Sequence, residues 1–148
     1  MSSKSYLEYI EIRVFSHATE DPSKVLTSVK KLFPIEFRED LVFNKTQLTG
    51  YYNNPIILYK IRVNEKILLQ SIIQFISENL SFSDKENLTN DIKIHLDRNN
   101  LYLRFDKQLA FDSILKFSTQ DPIHLKIHFK KMHLKDIIEL CRKAGLIL

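Results

Sequence analysis

The sequence predicts an α+β domain: one largely antiparallel or mixed sheet with helices packed on one of its faces. Three observations predict it. Several stretches alternate apolar and polar residues with period two, as a strand buried on a single face requires. Between them lie segments with the apolar stripe of amphipathic helices, opened by Asp, Asn or Ser caps. The 148 residues contain no repeat, low-complexity tract or linker, so 1–148 reads as one domain long enough to bury a real core.

Tyr9 to His17 sets Ile10, Ile12 and Val14 against Glu11, Arg13 and Phe15 and reads as the first strand. Asp21 followed by Pro22 is a helix cap with a first-turn proline, and Val25, Leu26, Val29 and Leu32 continue an apolar stripe that Pro34 ends. Ile35, Phe37, Leu41 and Phe43 predict short strand pieces, with a turn near Glu39-Asp40 or Asn44-Lys45. A turn at Asn53-Asn54-Pro55 leads into a strand from Ile56 to Val63, the proline confined to its start. Asn64 is the expected cap of a helix burying Leu68, Ile72, Phe75, Ile76 and Leu80. Ser83-Asp84-Lys85-Glu86 has the form of a capping box and predicts a third helix that runs through Ile92 and ends near Asp97.

The turn Asp97-Arg98-Asn99-Asn100 delivers a strand at LYLRF (101–105), whose Asp106-Lys107-Gln108 break is expected to hold a local turn while Leu109 and Phe111 fold onto the core. Residues 107–117 fit either a helical turn or irregular chain. Ile123 to Lys130 is the clearest strand, with His124, Lys126, His128 and Lys130 outward. A last helix has Ile137, Ile138, Leu140, Cys141 and Ala144 on its apolar side and Gly145 at its carboxy-terminal cap.

Composition narrows the chemistry. No apolar run approaches the roughly 18 residues a bilayer span needs. The amino-terminal MSSKSYLEYIEIRV has no continuous apolar core and does not read as a signal peptide. The single Cys141 cannot close an intrachain disulfide, in keeping with a reducing compartment, and the cytoplasm is the expected location. With only Gly50 and Gly145, neither a phosphate-cradling loop nor a dinucleotide fingerprint can be assembled. His124 and His128 on one strand stand about 13 Å apart, too far to share an ion, so no metal site is expected, and no cofactor. No carboxylate pair is singled out by spacing, Cys141 falls on an apolar helix face, and no nucleophile elbow is present, so nothing asks for an enzyme.

Charge is more informative once located. The net charge is +4, and residues 116–143 carry seven basic against three acidic residues, which leaves the rest of the chain neutral. That asymmetry favours an anionic partner. If the first, LYLRF and Ile123 strands share a sheet, the outward face presents Arg13, Phe15, Tyr102, Arg104, His124, Lys126, His128 and Lys130. Cations for phosphates beside rings for bases suit RNA recognition, and Lys107, Lys131 and Lys135 complete the candidate set. The same residues also suit an ordinary solvated sheet face, or a face docking a protein partner or a second copy.

Three stretches, EIRVFSHATEDPSKVLTSVKKLFP (11–34), TGYYNNPIILYKIRV (49–63) and LYLRFDKQLAF (101–111), resemble an archaeal family of RNA-binding proteins and predicted exosome subunits. The resemblance covers most of the chain, and its most specific parts are His17 to Asp21 and the L-Y-L-R-F-D-K-Q run. It implies a fold similar to the large-subunit ribosomal protein L-five, a homodimer, and a role in RNA processing or translation-linked RNA metabolism. One departure stands out: against a family pattern similar to G-H-F-G-N-P, this chain has Gly50-Tyr51-Tyr52-Asn53-Asn54-Pro55.

Overall fold

In the first alternating stretch Ile10, Ile12 and Val14 are buried to within 1% while Glu11, Arg13 and Phe15 keep contact with water, and the stretch folds as strand β1, Leu7–Ser16. The computed structural model describes residues 6–148, so the amino-terminal residues 1–5, read above as part of a non-signal start, lie outside the described residues. The remaining strands are β2 (Asn44–Thr49), β3 (Pro55–Val63), β4 (Leu96–Asp97), β5 (Asn100–Phe105) and β6 (Ile123–Phe129). They form one sheet in the order β2-β3-β1-β6-β5-β4, and every neighbouring pair is antiparallel.

Helices α1 (Pro22–Lys30), α2 (Lys66–Asn79), α3 (Phe82–Asn90), α4 (Ile92–His95), α5 (Lys107–Phe111) and α6 (Leu134–Lys143) are interspersed with the strands. Val25, Val29, Leu69, Ile72, Ile76, Leu88 and Ile137 join the inward side chains of β1, β3, β5 and β6 in one core cluster. Burial is thus one-sided, and the polar half of each alternation is left half-buried or exposed on the opposite face. Gly145 ends the last helix at φ +85°, a left-handed conformation that a side chain would strain.

Capping follows side-chain chemistry. The Asp21 carboxylate accepts from the Ser23 amide at 3.0 Å and its hydroxyl at 2.8 Å, and these bonds hold its pKa below the ordinary value. The second helix is capped by Glu65 rather than Asn64: its two carboxylate oxygens accept from Ile67 N at 3.1 Å and Leu68 N at 2.9 Å. The third is capped by Ser81 rather than Ser83, through Asp84 N at 3.1 Å, and stops at Asn90 before the short α4. Asp84 is buried and accepts from Phe117 N at 3.2 Å, so it ties two segments together instead of completing a box.

Other expectations change as well. Ile35–Asp40 is a 3-10 turn following Pro34, not a strand, and the turn expected near Asn44-Lys45 is where β2 begins. All six residues of β2 are exposed, so its pairing with β3 lies outside the layer covered by helices. At 106–111, Asp106 Oδ1 accepts from Leu109 N at 2.8 Å and starts α5. Ala110 is the buried apolar residue there, beside the buried Lys107, whereas Phe111 remains 38% exposed rather than folding onto the core.

Candidate nucleic-acid interface

Register decides which outward side chains meet. Arg13 pairs with Lys60 on one side and His124 on the other, and His124 pairs with Arg104. A transverse row Lys60, Arg13, His124, Arg104 therefore crosses four strands, about 14 Å at the usual strand spacing. Among the described residues, no carboxylate forms an ion pair with Lys60, Arg13 or Arg104. Burial lowers the pKa of His124 and the guanidiniums of Arg13 and Arg104 lower it further, against an upward pull from Asp121. A groove of about 530 Å³ opens here, lined by Arg13, Arg104, His124, Tyr102 and Lys126, with Glu11 and Asp97 at its acidic side.

The adjacent row is neutralised internally. Glu11 sits opposite both Arg62 and Lys126, and its carboxylate takes Arg62 at 3.2 Å and Lys126 at 3.9 Å. Both cations also lie over the Tyr9 ring, Arg62 Cζ at 4.0 Å and Lys126 Nζ at 5.3 Å from its centroid. His128 stacks on the same ring at 4.6 Å, is hydrogen-bonded to Asn100 Oδ1 at 2.6 Å, and has its Nε2 3.1 Å from Glu8 Oε1. Lys126 and His128, both predicted to contact RNA, are thus engaged within the sheet.

Lys107 is a correction. Expected to face a ligand, it is only 6% exposed, and its ammonium donates to Phe15 O at 2.9 Å, Glu20 Oε1 at 3.0 Å and Asp121 Oδ2 at 2.7 Å. Its three donors are matched by three acceptors, so it pins the His17 to Asp21 loop to the start of β6. His17 Nε2 bonds Asp121 Oδ1 at 3.1 Å. Burial pushes Asp121 upward, but the hydrogen bonds and charges of Lys107 and His17 outweigh it and keep the carboxyl below its ordinary pKa. His17, Glu20 and Asp121 gather their ligand atoms within 4.8 Å, and the Lys107 ammonium is the cation that Glu20 and Asp121 hold there.

Lys130 and Lys131 lie past the other end of β6, about 20 Å along the strand from His124, and line a groove with Asp136 and Glu139, while Lys135 is exposed in the first turn of α6. An apolar cavity of about 290 Å³ elsewhere, lined by Leu7, Ile73, Phe129, Leu140 and Cys141, has no charged lining residue. Burial raises the Cys141 thiol to about 12, which keeps it protonated and inert.

Of the predicted contacts, then, Arg13 and Arg104 line one groove, Lys126 and His128 are internally paired, Lys107 is buried, Lys130 and Lys131 lie on a separate rim, and Lys135 stands exposed at the start of α6. Lys60, Arg62 and Tyr9 were missed. Their signal was present, since each occupies the polar half of an alternating stretch, but only strand pairing brings them to this face.

A family model described as RNA binding matches residues 9–129. The chain belongs to this RNA-binding family. RNA-binding protein PAB1135 of Pyrococcus abyssi is 33% identical to it over 138 residues, 91% of this chain and 90% of that protein. Among solved structures, Mth689, a DUF54 protein from Methanothermobacter thermautotrophicus, superposes with a TM-score of 0.77 at 24% identity, covering 94% of this chain and 98% of that one. Protein SSO0741 from Sulfolobus solfataricus gives 0.70 at 28% identity, covering 93% and 97%. These likenesses agree with the α+β fold, and no helix among the described residues is long and apolar enough to cross a membrane.

Proposed function

We propose that this chain binds RNA through the open sheet face, with Lys60, Arg13 and Arg104 as the principal phosphate contacts and His124 between them. The observation that carries the reading is the row itself. Like charges side by side across strands destabilise a sheet, and among the described residues no carboxylate forms an ion pair with Lys60, Arg13 or Arg104, although Glu11 and Asp97 line the same groove. A polyanion laid across the strands would supply the missing negative charge. Membership of an RNA-binding family supports RNA as that polyanion.

In this reading the protein has no catalytic step of its own and acts in the cytoplasm as an accessory to RNA processing, as a homodimer and in association with the exosome. Co-purification with exosome subunits and light scattering test the last two points. RNA affinity should fall steeply between about 50 and 200 mM salt, because neutralised phosphates release counterions. Affinity that is absent at low salt, or indifferent to salt, would overturn the reading.

A second reading is favoured by the exposed edge strand β2. Its outer backbone groups can pair with an extended segment of a protein partner or a second copy, as in strand addition. A dimer whose amide exchange protects residues 44–49 would support it.

A further inference from the structure

The β2–β3 hairpin ends in two adjacent tyrosines that the rest of the molecule does not use. Tyr51 and Tyr52 are 91% and 95% exposed. Tyr52 (φ 57°, ψ 31°) and Asn53 (φ 60°) both sit in the left-handed region, which is unusual for a bulky side chain. Strain of this kind persists where surrounding bonds enforce it and gathers at ligand clamps. Here Gly50 N donates to Asn54 O at 2.7 Å and Asn54 N to Tyr51 O at 3.1 Å. The tip is a formed turn that holds both rings out in water.

The path from this tip to the basic row runs along the same open face. Leu48 pairs with Ile56, and Leu58 pairs with Phe15, one step before Lys60 pairs with Arg13. From Pro55 to Lys60 the strand covers about 17 Å. The face therefore passes from cations, through an apolar strip, to two exposed rings. Phosphates suit the first part. The faces of bases suit the other two.

We propose that Tyr51 and Tyr52 are a base-stacking element, so that the RNA this face takes is single-stranded between the hairpin tip and the basic row. The proposal rests on the reading of that row as the phosphate contact, and it names the class of RNA. In a duplex the bases stack on one another and are paired, so their faces are closed to protein rings, whereas unpaired bases can be splayed onto tyrosines. A protein partner could also cover two tyrosines, but a strip that leads into unpaired cations matches a polyanion.

The test compares an unpaired oligouridine with a blunt RNA duplex of the same length, both labelled, at low salt. Three forms of the chain are used: wild type, Tyr51→Ala/Tyr52→Gly, which removes the rings while suiting the left-handed backbone, and Tyr51→Phe/Tyr52→Phe, which keeps them. The ring-less form should bind oligouridine about tenfold more weakly or worse, with duplex affinity and salt slope unchanged, and the phenylalanine form should match wild type. Because the chain has six tyrosines and no tryptophan, oligouridine should also quench tyrosine emission, and less so in the ring-less form. Unchanged oligouridine affinity in the ring-less form would overturn the proposal and return the tyrosines to protein docking. Equal losses on both RNAs would also overturn it. A wild type without salt-dependent binding to either RNA would instead remove the phosphate row, and the present proposal with it.

Discussion

Arg104 and Lys107 stand three residues apart in one basic, aromatic stretch, yet the fold gives them opposite surroundings. Arg104 is exposed at the end of a row in which Lys60, Arg13 and Arg104 form no ion pair among the described residues, while Lys107 is enclosed by a carbonyl and two carboxylates. The cage around Lys107 is complete without a ligand and serves stability. The row has no such ion pairs at Lys60, Arg13 and Arg104 among the described residues, which is why it is proposed as the binding surface. Positive charge by itself therefore marks neither role; the presence or absence of acceptors within reach does.

The largest effect on stability is expected at the cage. Replacing Lys107 by Met keeps the apolar stem but leaves Glu20 and Asp121 facing each other without a cation, an expected loss of about 3 kcal/mol. In a domain of this size that lowers the melting temperature by roughly 6 to 12 °C in a calorimetric scan. An unchanged melting temperature would show the cage to be ornamental. At the row the effect should be on binding instead: Arg13→Glu/Arg104→Glu should weaken RNA binding roughly 100-fold without lowering the melting temperature, since reversal at two phosphate contacts adds repulsion to lost attraction while the new carboxylates relieve the like-charge crowding of the row.

His124 offers a smaller, pH-dependent effect on the same row. Its folded-state pKa lies below the ordinary 6.5, so the unfolded chain binds the proton more readily and stability rises with pH through this group. Acidification below about 6.5 should therefore destabilise the free protein through His124, the contribution being lost fully once the folded pKa is passed. RNA lends the row negative charge and favours the protonated ring, so affinity should rise several-fold from about pH 7.5 to 5.5. His124→Gln should flatten that rise in an anisotropy titration. The smallest change belongs to the neutralised row: Lys126→Ala removes one arm of the Glu11 cluster and should cost about 0.5 kcal/mol by denaturant unfolding, with RNA affinity within about twofold of wild type.

The strands were legible because burial on one face writes a period of two into the sequence, as at Ile10, Ile12 and Val14 or Ile123, Leu125 and Ile127. Strand β2 was not, because NKTQLT carries a single apolar residue and is exposed on both faces, leaving no alternation to read. The caps were misplaced by one or two residues where neighbouring Asn, Glu and Ser offered equivalent oxygens. The site was half legible. Arg13, His124 and Arg104 could be placed on the outward face from alternation alone, but their neighbour Lys60 joins them only through pairing between strands distant in sequence. For Lys107 no local pattern exists: its partners Phe15, Glu20 and Asp121 are 92, 87 and 14 residues away.

If unpaired cations bind RNA and paired cations do not, the salt dependence of RNA affinity separates the two kinds. The logarithm of affinity against the logarithm of salt should be measured for wild type, Arg13→Glu/Arg104→Glu and Lys126→Ala on one single-stranded RNA. Each phosphate contact contributes close to one to that slope, so the double variant should lose about two and the Lys126 variant close to none. Equal slopes for all three, or the larger loss at Lys126, would contradict the account.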